Sequence, residues 1–153
     1  MILTTHALVG AAIGKNVHNL WLIGIISLIV HFIMDHFRHG EYLNRNSIFK
    51  DTLWKVVLDL SVGFSIIIFY IMSNNLDITQ TINIILGMLF SLFPDFLTFL
   101  YCELNFKFLK PIFRFHTWIH RYLPFSQERK WNARNFFNDA LFSLAAMTII
   151  FFF

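Results

Sequence analysis

The stretch Leu20-Trp21-Leu22-Ile23-Gly24-Ile25-Ile26-Ser27-Leu28-Ile29-Val30-His31-Phe32-Ile33-Met34-Asp35-His36 decides how this chain is read. It runs uncharged from Leu20 to Val30 and then places an imidazole and a carboxylate four residues apart, at His31 and Asp35. A run this apolar is a membrane helix, and hydrocarbon penalises ionisable side chains so strongly that those it retains mark a site. His31 and Asp35 share one face of a helix. His39 extends that face if the helix continues, whereas His36 points elsewhere.

The same pattern recurs outward from this segment. Residues 2–13 form a short apolar helix carrying Thr4, Thr5 and His6, ending at Gly14-Lys15-Asn16. It is too short to span comfortably and is expected to tilt, thin the bilayer or lie partly inside a bundle. Residues 53–72, 78–102 and 136–153 supply three further spans, with Asp59 in the first of them and Pro94-Asp95 near the inner end of the second. Composition agrees: 57% of the 153 residues are hydrophobic and 20 are Phe, more apolar surface than a soluble domain of this length can bury. The single cysteine, Cys102, excludes an internal disulfide framework. There is no repeat, low-complexity linker or break in composition. The expected fold class is therefore all-α, an integral membrane bundle of about five helices, the first one short, in a single domain over residues 1–153.

Charge orients the bundle. Residues 106–135 hold Lys107, Lys110, Arg114, Arg121, Arg129, Lys130 and Arg134 against Glu128, and residues 37–52 add Arg38, Arg45 and Lys50. The positive-inside rule puts both segments in the cytoplasm, so the N-terminus lies inside and the protein is a multi-pass protein of the cell (inner) membrane. Topology explains most of this basic character, with attraction to anionic headgroups or a phosphorylated substrate as a second use.

Orientation assigns each polar residue a depth. At 1.5 Å per residue, His6, His31, Asp59 and Asp95 fall roughly 7 to 11 Å from the inner ends of their helices, in one layer, with Asp35 about a turn nearer the cytoplasm. His116 and His120, also four apart, lie on an amphipathic helix near 112–122 whose aromatic and apolar neighbours Phe113, Phe115, Trp118 and Ile119 suit the membrane interface, where it lids the bundle mouth. Imidazoles mixed with carboxylates favour a divalent metal, zinc first, with manganese or iron as alternatives, and the ligand count leaves room for one or two ions. Duller readings exist for each residue. His6 can serve as a helix-to-helix hydrogen bond, Asp59 can pair with Lys55 four residues away, and Asp95 can cap the backbone that Pro94 interrupts. None of these predicts one shared depth on one side.

Thr5-His6-Ala7-Leu8-Val9-Gly10, the stretch from Ser27 to Asp35, Phe93-Pro94-Asp95 and the His116–His120 pair together resemble the YdjM-like family of membrane-bound metal-dependent hydrolases. That resemblance implies His6, His31, Asp35, Asp95, His116 and His120 as metal ligands. A fainter similarity of His-x-x-x-Asp to zinc-dependent phospholipase C and P1-type nucleases implies a phosphoester substrate. The chain departs from the family in three ways: His31-Asp35 precedes Pro94-Asp95, residues 96–99 lack a further Asp and His, and no Arg-Gly lies between His116 and His120.

The expected activity is hydrolysis of a phosphoester, lipid-linked or headgroup, at the cytoplasmic face by a metal-activated water. Asp59 or His39 would accept the proton, and Arg114 and Arg121 would steer the phosphate. Membrane lipids are the expected partners and nucleic acid is not. A metal-handling transporter and a non-catalytic membrane subunit are the alternatives.

Overall fold

The computed structural model describes residues 1–37, 39–40, 49–122 and 133–153; the side chains of residues 49–51, 121, 122 and 134 fall outside that description. It is all-helical, with no strand among the described residues. In order come α1 (Leu3–Asn16), α2 (Leu20–Met34), α3 (Phe49–Ser73), α4 (Ile78–Cys102), a 3-10 turn (Lys107–Leu109), α5 (Lys110–Tyr122) and α6 (Ala133–Phe152). Three stretches, Thr52–Ser73, Ile78–Cys102 and Asn135–Phe152, are long and apolar enough to cross a membrane, and α2 is a shorter apolar helix.

Helix α1 is the axle of the bundle. It packs against α2, α3, α4 and α6 and buries Thr4, Thr5, His6, Ala7, Leu8, Gly10, Ala11, Ala12 and Gly14. Its small residues allow that encirclement, because they let neighbouring helix backbones approach closely. A Cβ on Gly10 would collide with the Gly87 carbonyl oxygen and sit 2.6 Å from Ser91 Cβ, and one on Gly14 would collide with the Asn83 carbonyl oxygen and sit 2.8 Å from Ile84 Cα. α1 and α4 thus meet backbone to backbone. α1 ends at Asn16, within the Gly14-Lys15-Asn16 stretch expected to stop it, and Val17 N–H donates to the Ile13 carbonyl at 2.9 Å. Around this contact Leu8, Ile67, Tyr70, Ile84, Met88, Leu92 and Ile150 form the apolar core. Large apolar side chains, among them Leu58, Val62 and Phe69 on α3 and Phe137, Leu141 and Leu144 on α6, are left exposed on the outside of the bundle, which is compatible with a membrane protein.

Helix α1 also begins in an unusual way. Ile2 at its N-cap offers no side-chain acceptor, yet an α-helix leaves its first amides without partners. Carboxylates from two other helices supply the acceptors. Asp59 of α3 receives Leu3 N–H at 2.6 Å and Thr4 N–H at 3.1 Å, and Asp139 of α6 receives Ile2 N–H at 3.0 Å. Two negative groups at the positive end of the helix dipole also have the favourable sign. Thr4 Oγ1 donates to the Asp59 carbonyl at 2.6 Å, and Thr5 Oγ1 lies 2.8 Å from Ser143 Oγ. At the opposite end Lys15 Nζ donates to the Ile150 carbonyl at 2.8 Å and lies 5.4 Å from the Tyr70 ring centre, so both ends of α1 are tied to α6.

Candidate metal centre

Each side chain of the centre is delivered by a local feature of its helix. On α2 the buried positions Ile23, Ser27, His31 and Met34 form one stripe, so packing that stripe against α4 turns His31 inward. The helix ends at Met34, with Asp35 as its C-cap, and the chain then turns. His39 therefore does not continue a helical face as the spacing had implied; the turn itself brings its buried ring to 5.2 Å from that of His120. On α4 the chain stays helical through Pro94, which cannot donate an amide hydrogen bond. Ser91, in the interrupted turn, offers its carbonyl to His31 Nδ1 at 2.7 Å. On α5 the buried His116, Ile119 and His120 lie opposite the exposed Ile112, Phe115 and Trp118. Tyr101 stacked on Phe113 at 4.4 Å holds α5 against the end of α4.

The result is a nest of imidazoles around two carboxylates. Asp35 Oδ2 lies 3.0 Å from His31 Nε2, 2.9 Å from His116 Nε2 and 3.4 Å from His120 Nε2. His116 Nε2 is in turn 3.3 Å from His31 Nε2, 3.2 Å from His120 Nε2 and 3.8 Å from Asp95 Oδ1. His6 Nε2 approaches from α1, 3.2 Å from Asp35 Oδ1 and 3.6 Å from Asp95 Oδ2. The Met1 nitrogen also reaches Asp35 Oδ1, at 3.0 Å. His6, His31 and Asp35 are wholly buried, and Asp95 is the most open, with 18% of its side chain exposed. Four donors, His31, Asp35, Asp95 and His116, fit within one ion's reach, and Asp35, His39 and His120 make a second close group.

Proton counting shows why this nest suits a cation. A carbonyl can only accept, so Nδ1 of His31 carries a hydrogen toward Ser91 O and Nδ1 of His39 carries one toward Phe37 O at 2.8 Å. In the neutral rings both Nε2 atoms are then lone-pair donors, and that of His31 faces a carboxylate oxygen. Charging every ring around Asp35 Oδ2 would crowd several imidazolium groups together in a buried space. A divalent ion takes up the lone pairs of the donors within its reach, those of His31, Asp35, Asp95 and His116. The spacing agrees: donors bound at about 2.0–2.1 Å stand about 3.0 Å apart along an octahedral edge and about 3.4 Å apart along a tetrahedral one. His6 Nε2 and Asp95 Oδ2 are buried and lack any hydrogen bond among the described residues, as expected of atoms kept for a ligand. His116 Nδ1, 2.7 Å from Thr98 Oγ1, has the outer partner that orients a metal-binding imidazole.

Of the residues singled out in the sequence, His6, His31, Asp35, Asp95, His116 and His120 come together, and His39 stands beside His120. Among the described residues, Asp59 is not one of the clustered donors. Each of its oxygens accepts one of the amides that open α1, an acceptor that this helix lacks at its own N-cap. Arg114 is exposed on α5, and the side chain of Arg121 lies outside the described residues. His36 donates to the Phe32 carbonyl at 2.7 Å, away from the nest. Sequence reasoning missed Asp139, an acid within an apolar helix, which is itself the signal that should have singled it out. It also missed Thr98, three residues after Asp95 and so on the same helix face. The support from Ser91 comes from its backbone, which no side-chain pattern announces. No family profile, curated protein or solved structure matches this chain.

Proposed function

We propose that the protein is a membrane-embedded, metal-dependent hydrolase acting on phosphoesters at the membrane surface. The observation that carries this proposal is the meeting of imidazoles and carboxylates from α1, α2, α4 and α5 at donor spacings of 2.9 to 3.8 Å, with buried lone pairs left over. A divalent cation held there, zinc in the first instance, supplies the Lewis acidity that lowers the pKa of a water and polarises a phosphoryl oxygen. His31, Asp35, Asp95 and His116 hold the ion. Ser91 and Thr98 fix the rings of His31 and His116. His39, beside His120 at the edge of the nest, accepts the proton of the attacking water. Arg114, on a helix that exposes Ile112, Phe115 and Trp118, supplies positive charge at headgroup depth and draws in a lipid phosphate.

The test is release of phosphate from phosphatidic acid vesicles by the detergent-purified protein, with zinc or manganese added. Activity is expected in the wild type and a loss of at least a hundredfold in His31→Ala and Asp35→Ala; equal activity in those variants overturns the proposal. The near-complete burial of the donors favours one second reading, an ion-handling protein without turnover. Metal flux in proteoliposomes, with no phosphate released, would establish that instead.

A further inference from the structure

We propose that the outer face of residues 104–118 docks on anionic lipid headgroups, and that lipid charge, by seating α5, regulates how well α5 completes the centre; this rests on the membrane-embedded metal-centre reading above and adds its regulation. The chain is turned to make that surface. Beyond α4 it reverses at Asn105, whose φ of 58° an asparagine tolerates, and Phe106 N–H donates to the Leu100 carbonyl at 3.2 Å. α5 then packs against the 3-10 turn and α4. Its sides differ in kind. His116 and His120 are buried, Ile112, Phe115 and Trp118 are exposed on one flank, and Lys110 and Arg114, four residues apart, are exposed on another. In the preceding turn Phe108 is 76% exposed beside the exposed Lys107, so the aromatic and basic character continues across it.

Charge selects the occupant. No Asp or Glu stands between Leu104 and Arg121, so the bases of this face meet no carboxylate of their own segment. Aromatic rings flanked by Lys and Arg match the boundary between acyl chains and headgroups, where rings embed and cations meet phosphate. Each base held near such a surface favours an anionic over a neutral one by about fivefold. The inward side of α5 gives the docking its consequence. Its buried side chains among the described residues are His116, Ile119 and His120, so a single aliphatic group accompanies the two imidazoles. Those imidazoles meet Asp35 Oδ2 at 2.9 Å and 3.4 Å. A helix of 13 residues depends on its surroundings to stay formed. Whatever holds the outer face of α5 therefore also sets where His116 Nε2 stands against Asp35.

The test places the full-length protein in nanodiscs of phosphatidylcholine, alone or mixed with phosphatidylglycerol. Amide hydrogen exchange of α5 in metal-free protein reads the docking. Exchange is expected to slow about fivefold or more in the anionic discs, and the slowing to be mostly lost in the Lys107→Gln, Lys110→Gln double variant. Exchange indifferent to lipid charge overturns the docking surface, and slowing that survives in the double variant overturns its assignment to this basic face. Zinc affinity against a competing chelator reads the regulation, with His116→Ala as the reference for zinc gathered by the anionic surface itself. Anionic lipid is expected to tighten zinc binding about fivefold more in the wild type than in His116→Ala. An equal gain in both overturns the regulation and leaves the metal centre standing. Zinc that binds in neither disc overturns the metal centre and its regulation together, while the exchange measurement still decides the docking surface.

Discussion

Replacing Asp59 separates two accounts of one acid, because a helix cap and a catalytic base respond differently to alanine and asparagine. Asp59→Ala removes the acceptors at 2.6 Å and 3.1 Å for the first amides of α1. A hydrogen bond to a charged group contributes about 1.5–3 kcal/mol, and losing a helix cap costs about 0.5–2 kcal/mol. Asp59 is half-buried, and polar contacts in membrane bundles average toward the low end of such scales, so about 2–3 kcal/mol is the expected loss. For a chain of this length that lowers the melting temperature by about 5–10 °C. Asp59→Asn keeps one acceptor oxygen and should lose about half as much. Thermal unfolding in detergent, followed by tryptophan fluorescence, reads the stability, and phosphate release at a temperature well below the transition reads the activity. The capping account predicts a destabilised Asp59→Ala and an Asp59→Asn variant that keeps most of its turnover. Asp59→Ala within about 0.5 kcal/mol of wild type would refute the capping argument. So would an Asp59→Asn protein of unchanged stability and no activity.

Other perturbations test neighbouring parts of the account. Gly14→Ala forces a methyl group onto the Asn83 carbonyl and should destabilise the α1–α4 contact by about 1–3 kcal/mol, seen as a lower melting temperature, whereas alanine at the exposed Asn16 should be nearly silent. Thr98→Val removes the outer partner of His116 and should weaken metal binding about 10- to 100-fold in a competition titration, with the fold intact by circular dichroism. Stripping the metal with a chelator should lower thermal stability, by about 2.7 kcal/mol if the ion had been present at a hundred times its dissociation constant, and adding zinc back should restore it. Asp77→Ala breaks the capping box with Gln80 and should cost about 1 kcal/mol without altering metal affinity.

Fold class was legible because apolar runs of membrane length are hard to mistake, and the amphipathic helix bearing His116 and His120 announced itself by spacing. Depth placed His6, His31 and Asp95 in one layer, and in the folded chain those residues do meet. What failed was the inference from depth to role. Asp59 shares the layer, but it answers the open amides of α1, a need that becomes visible only once α1 is seen to start between α3 and α6. The end of α1 falls within the expected Gly14-Lys15-Asn16 stretch, but the backbone contact that Gly14 makes with α4 was not legible, since a glycine marks either a turn or a close approach and the sequence does not distinguish them. His39 reached the nest through a turn rather than a helical face, which spacing rules cannot foresee.

The most direct test of the central claim is X-ray absorption at the zinc edge on the purified, zinc-loaded protein. A first shell of nitrogen and oxygen at about 2.0–2.2 Å, with the outer-shell scattering of imidazole, is expected in the wild type, and its loss is expected in Asp35→Ala. Zinc that fails to bind, or an imidazole-containing shell that survives intact in Asp35→Ala, would contradict the account.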